Sequence, residues 1–330
     1  MAILIDPPRW PAHGTRFAHL ASDTSLAELH EFARANEVPD RAFDHDHYDV
    51  SETRLAELVA AGAQPVEARE LVGRLAAAGL RVRPQQRVPK PARAVAELTR
   101  RWQQLLPEEP RLGADLVGRW LEPHRRYHDT RHLVQMLGAL DQLYDGLTPP
   151  PVALAAWFHD AVYRGEPGAD EAASAALARA ELEAARAPTD LVNEVSRLVM
   201  LTVDHRAEPT DTAGQALVDA DLSILGQVPG RYQMYVRGVR LEHPELNNYR
   251  FGLARLGVIR ALLTAETLFG SGLGQQLWLD RARHNLADEE IHWQGIVGNQ
   301  TPEERSPGIS AVGGKRWHGL PMYGLQPPPA

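Results

Sequence analysis

The chain has 330 residues and a formal net charge of −8, long enough for two domains of ordinary size, which run about 100–200 residues each. The acidic balance argues against nucleic-acid binding through bulk charge, because phosphate backbones are met by basic surfaces. The absence of cysteine excludes disulfides and thiolate metal sites, leaving His, Asp and Glu as ligands, and agrees with a reducing cytosol.

The first unit reads as a small α/β domain over residues 1–83. Ala2 to Ile5 is a short apolar run stopped by Asp6-Pro7-Pro8, the pattern of a buried strand ending in a loop. The start lacks the basic and long apolar regions of a secretory leader, and no stretch approaches the roughly 20 apolar residues of a membrane span. A soluble, cytoplasmic protein is therefore expected, with a homo-oligomer left open. Trp10, His13, Arg16, His19 and Asp23 follow the first strand. Ser25 with Glu28 forms a capping box for a helix through Leu26, Leu29, Phe32 and Ala33, on which His30 rides. After Phe43-Asp44-His45-Asp46-His47-Tyr48-Asp49 come a second helix from Ser51 to about Gly62 and a third from Val66 to Ala78, closed by Gly79. Leu80-Arg81-Val82-Arg83 alternates like a last strand.

So many histidines and aspartates suit a metal or catalytic site, and equally suit turns and side-chain hydrogen bonds. Through Ile5-Asp6-Pro7-Pro8, Trp10, His13-Gly14, His19-Leu20, Ser22-Asp23 and Asp46-His47-Tyr48-Asp49, the region resembles a small bacterial domain of unassigned function. That resemblance implies no chemistry.

Residues 84–91, with three prolines and no apolar periodicity, read as a linker. Beyond it the pattern is helical: 92–105, 113–121, 130–144, 151–163, 170–187, 190–202, 215–225, 232–241, 249–265 and 274–290. The fold class is thus α+β overall, with an all-α domain over 92–290. Residues 291–330, rich in Gly and Pro with scattered Trp293 and Trp317, read as an irregular tail.

Polar residues placed on apolar faces mark the candidate site. At about 100° per residue, Asp221 falls in the middle of the face formed by Leu217, Val218, Ala220, Leu222, Ile224 and Leu225, while Asp219 falls on the far side. A carboxylate there is costly unless paired or metal-bound. Asp221 is therefore the expected ligand, with an ion pair or a cap as the competing reading, and Asp219 is a surface or supporting residue. The segment 151–163 is apolar nearly all round apart from His159 and Asp160, near enough to a helix end for both to reach one ion. His128 and His132, four apart, share a face if helical, and either could be a ligand. Mixed imidazole and carboxylate donors of this kind hold a divalent ion of the Mn, Fe, Co, Ni or Zn type.

The ordered set of a histidine, a His-Asp dipeptide and a later Asp resembles the HD superfamily of metal-dependent phosphohydrolases. Tyr127-His128 with His132 is similar to the Tyr-His-Asn-x-x-x-His pattern of those proteins and of the cyclic-nucleotide phosphodiesterases, with Asp129 in place of Asn. The resemblance implies an all-helical HD-type domain in which His132, His159, Asp160 and Asp221 bind metal and His128 reaches the substrate phosphate. It also matches Ala169 to Ala175 to a segment following the dipeptide, which implies that Glu171 holds the attacking water or a second ion; a first-turn acid favoured by the helix dipole is the alternative. His205, ending another buried helix, contacts phosphate or caps carbonyls. Asn247, Tyr249 and Arg255 are further candidates for the pocket wall.

The expected activity is hydrolysis of a phosphomonoester or phosphodiester, a small phosphorylated substrate such as a nucleotide, by metal-activated water. Two other classes stay open: a nucleotide sensor without turnover whose output is the first unit, and chemistry centred on His13, Asp23, His45 and His47.

Overall fold

The computed structural model describes residues 2–299. The chain divides into two compact units, one formed by Met1–Val88 with Val228–Met234 and the other by Pro89–Gln227 with the chain from Tyr235 onward. Among the described residues no helix is long and apolar enough to cross a membrane.

In the first unit, β1 (Ile3–Ile5) is the buried run expected from its composition. The hairpin of β2 (Trp10–Ala12) and β3 (Thr15–Ser22) follows, then α1 (Leu26–Ala35), β4 (Phe43–Asp44), β5 (His47–Ser51), α2 (Leu55–Ala60), β6 (Gln64–Pro65) and α3 (Ala68–Ala77). The sheet order is β4-β5-β3-β1-β6, with β2 against β3 and only the β1–β6 pair parallel. Ser25 caps α1 by accepting the Glu28 amide at 3.1 Å, as the capping pattern anticipates. Side chains alternate across a strand. Ala18, Leu20, Tyr48 and Val50 therefore enter the core with Leu29, Leu58 and Leu75, and His19, His47 and Asp49 are left on the opposite face.

Residues 80–83 are not a strand. Their alternation is real, since Leu80 and Val82 are buried. However, the Leu80 and Arg81 amides close the end of α3 on the Leu75 carbonyl, and the Val82 amide donates to the Asp46 carboxylate at 2.6 Å. A segment whose amides are taken up this way has none left for a sheet edge.

The second unit is helical: α4 (Pro91–Leu105), α5 (Pro110–Trp120), α6 (Thr130–Leu143), α7 (Pro150–Phe158), α8 (Ala169–Ala184), α9 (Thr189–Met200), α10 (Thr212–Leu222), the last part of α11 (Pro229–Glu242), α12 (Asn248–Thr264), α13 (Gly272–Gly274) and α14 (Asp280–Gly298). A π-helical turn, Gln275–Leu279, leads into α14. Every residue of α7 from Val152 to Phe158 is buried, as an all-round apolar helix requires. Trp157 meets Trp102 edge to face at 5.0 Å, and Gly113 lets α5 approach that indole so closely that a Cβ would lie 2.2 Å from it.

Two differences from the expected boundaries bear on the site and on the tail. α7 stops at Phe158, so His159 and Asp160 emerge at its end and not within a helix reaching Tyr163. α14 runs on to Gly298, making residues 291–298 helix and not irregular tail. Trp293 holds that end in place: it is buried, packs on Phe251 at 5.1 Å and donates its indole N–H to Glu289. The remainder of the expected tail, from residue 300 and including Trp317, lies outside the described residues.

Candidate metal centre

Three helix ends bring the key side chains together. Asp129 caps α6 by accepting the Arg131 amide at 2.8 Å, which sets buried His132 in the first turn. His159 and Asp160 leave the end of α7, and Asp221 sits in the last turn of α10. His132 Nε2 lies 3.2 Å from His159 Nε2 and 3.1 Å from Asp221 Oδ1. His159 Nε2 is 3.8 Å from the same oxygen and 3.3 Å from Asp160 Oδ2. Donor atoms about 2.0–2.2 Å from a shared ion stand roughly 3–3.5 Å apart. The trio of His132, His159 and Asp221 has close to this spacing, with Asp160 beside it.

The tautomers suit ligation. His159 Nδ1 donates to the Ala156 carbonyl at 2.8 Å, which leaves the Nε2 lone pair facing His132 and Asp221. His132 is oriented by packing, with the rings of Trp120 and Tyr127 at 6.1 and 4.9 Å, because its buried Nδ1 has no hydrogen-bond partner. Burial opposes the charged forms of His159, Asp160 and Asp221, yet opposite charges prevail. Asp160 and Asp221 raise His159 to about 9, and the histidines hold Asp160 and Asp221 well below the usual carboxylate range. Two imidazoles and two carboxylates so arranged fit a borderline divalent ion.

His205 adjoins the trio: its Nε2 lies 2.9 Å from Asp221 Oδ2. It reaches there from a left-handed residue, φ +53°. Glu171, in the first turn of α8, accepts the Gly168 amide at 2.5 Å. Burial and then the Asp160 charge raise its pKa.

His128 is not on the helix that carries His132, since α6 starts at Thr130; their rings are nevertheless 5.7 Å apart. His128 Nδ1 lies 2.7 Å from Glu242 Oε2, and Glu242 Oε1 accepts the amides of Arg126, Tyr127 and His128 at 2.7–3.0 Å. Burial disfavours the imidazolium, but the Glu242 charge outweighs it and raises the His128 pKa. Burial would raise Glu242; the His128 charge and the backbone donors instead lower it to about 2. Tyr163 stacks on His128 at 4.6 Å and donates to Glu242. Buried Arg125 ties the two loops together, donating to the carbonyls of His128 and Asp160 at 3.1 and 2.8 Å.

Sequence reasoning missed Glu242, Tyr163 and Arg125. Glu242 lies 114 residues from its histidine, and nothing local marks that pairing. Arg125 and Tyr163 were within reach, because each lies within a few residues of a motif histidine.

His128, Asp160, Tyr163, Glu171, His205 and Asp221 line one cavity of about 110 Å³. Arg255 also lines it while held bidentately by buried Glu289 at 2.8 and 3.0 Å. Tyr249 does not line it, and Asn247 caps α12.

Asp219 is not on the surface. It is fully buried and holds the turn before α13, accepting the Gly270 amide at 2.6 Å, the Ser271 amide at 2.8 Å and the Ser271 hydroxyl at 2.5 Å. Asp219→Ala is expected to leave the metal content intact while lowering stability by ~1–3 kcal/mol, the usual cost of buried donors left unpaired. Elemental analysis beside thermal denaturation checks this, and loss of metal from a folded Asp219 variant would contradict the separation of roles.

Comparison with known proteins bears on the first unit. Residues 3–78 match a family described as a protein of unknown function, DUF4031. No curated protein and no solved structure matches the chain. The family match ends before the helical unit, whose chemistry is therefore read from its geometry.

Proposed function

We propose that the helical unit is a metal-dependent phosphohydrolase of the HD type that its motifs resemble, acting on a phosphomonoester or phosphodiester, a nucleotide above all. The observation that carries this reading is the convergence of His132, His159 and Asp221, their donor atoms 3.1–3.8 Å apart, beside a cavity that Asp221 and His128 line. His132, His159, Asp160 and Asp221 would hold a divalent ion of the Mn, Fe, Co, Ni or Zn type, which would make water more acidic and offset phosphoryl charge. The remaining chemistry belongs to the chain. Glu242 fixes the Nδ1 side of His128 and favours its protonated form, so Nε2 is the nitrogen that donates a proton to the departing oxygen. Tyr163 and Arg125 hold that ring and its loop in place.

The test is the purified chain, loaded in turn with Mn²⁺, Co²⁺ or Zn²⁺, against a panel of nucleotides and phosphodiesters, with release of phosphate and nucleoside as the readout. Metal-dependent release is expected. Thermal stabilisation by nucleotides with no product from any of them would replace hydrolysis with sensing.

A further inference from the structure

The geometry points to a second metal site, on the sheet of the first unit, formed by His19, His47 and Asp49. β3 and β5 pair with His19 opposite Asp49, and His47, two residues before Asp49, shares its face because side chains alternate along a strand. His19 Nε2 and His47 Nε2 lie 3.8 and 3.6 Å from the same atom, Asp49 Oδ1. The donor atoms of all three residues fall within 4.8 Å of one another. Distances of 3.6–3.8 Å are too long for hydrogen bonds, yet they exceed by only a few tenths of an ångström the roughly 3–3.5 Å separating ligands of one ion.

An independent observation concerns the other ring nitrogens. His19 Nδ1 lies 2.8 Å from Asp6 Oδ2, and Asp6 Oδ1 accepts the His19 amide at 2.6 Å. His47 Nδ1 lies 2.7 Å from Asp46 Oδ1, and Asp46 is itself held by the Val82 amide and Arg81 at 2.6 and 2.9 Å. Asp6 and Asp46 are both buried. Each histidine thus has its Nδ1 proton claimed by a braced carboxylate and its Nε2 turned toward a third, which is how outer carboxylates orient metal-binding imidazoles. Two such pairs aimed at one oxygen are not needed to hold a sheet that Ile5, Leu20 and Tyr48 already pack from the other side.

The donor set selects a borderline divalent ion, Zn, Fe, Co, Ni or Mn, over Mg or Ca. Because the Asp49 side chain is 47 % exposed, three protein ligands leave coordination positions open toward solvent, as in a catalytic site and not a closed structural one. Other histidines and acids nearby stay out of it. His45 Nε2 accepts the Val88 amide and its Nδ1 pairs with Asp44, while Asp23 is bound to Arg74 and the Ala2 amide.

Zn²⁺ and Co²⁺ binding to the full chain after chelation tests the assignment. Wild type is expected to take two ions per chain. Asp49→Asn, which removes a charge from a half-exposed side chain, and His19→Gln should each reduce this to one, and Asp6→Asn should weaken the second ion about 10–100-fold. His159→Ala should remove the other ion, and the Asp49→Asn/His159→Ala double variant should bind none, with circular dichroism confirming the folded state throughout. Wild type binding a single ion that Asp49→Asn removes and His159→Ala does not would support this site and reject the helical one. Unchanged binding in both folded Asp49→Asn and folded His19→Gln would overturn the proposal whatever His159→Ala does.

Discussion

Asp221→Ala is expected to strip the ion from the helical unit and to reduce metal-dependent phosphate release by more than about 10³-fold, beyond the 10²–10³ typical of losing a single stabilising donor. Asp221 touches both His132 and His205, at 3.1 and 2.9 Å, while also facing His159. Its removal therefore takes away a ligand and the partner of three imidazoles at once. Metal content and turnover should fall together, and added Mn²⁺ or Co²⁺ should restore little. Asp219→Ala, two residues away, is the control: stability should fall and metal should stay. If Asp221→Ala kept its ion and its rate, the trio would be an ion-paired cluster and the hydrolase reading would fail with it.

His128→Ala should keep the ion and lose about 10²–10⁴ in kcat, the contribution of a positioned general acid. The loss belongs in kcat, because proton donation to a departing oxygen is made only in the transition state. It should shrink for substrates with a good leaving group such as nitrophenolate, whose oxygen needs no proton. The pH profile adds an independent check. The Glu242 charge raises the His128 pKa against the opposing effect of burial. The donating form is therefore present below that raised pKa and lost as pH rises through it. Glu242→Gln should move this alkaline limb to lower pH, in step with a smaller loss of kcat. An equal loss on good and poor leaving groups, or a limb that stays where it was, would leave His128 as a phosphate anchor and not an acid.

Much of the architecture could be read from short-range pattern. The buried β1, the Ser25 cap of α1, the all-round apolar α7 and the switch from mixed elements to helices after the prolines all depend on residues within a few positions of one another, where period and capping chemistry operate. The His-Asp dipeptide and the histidine four residues after Tyr127-His128 were legible in the same way, because helix ends place neighbours in sequence near one another in space. What failed was reasoning that assumed one buried side per element. The wheel separates Asp219 from Asp221 as far side from buried face, but α10 packs on α6, α7 and α13 and Asp219 is itself fully buried, so it is their partners that distinguish the two aspartates. Likewise 80–83 alternates like a strand while its amides are spent on Leu75 and Asp46. Two features could come only from tertiary structure: Glu242 beside His128 across 114 residues, and the strand register that sets His19 opposite Asp49. Pairing over such distances is decided by which faces pack and which amides remain unsatisfied, and no local periodicity carries that information.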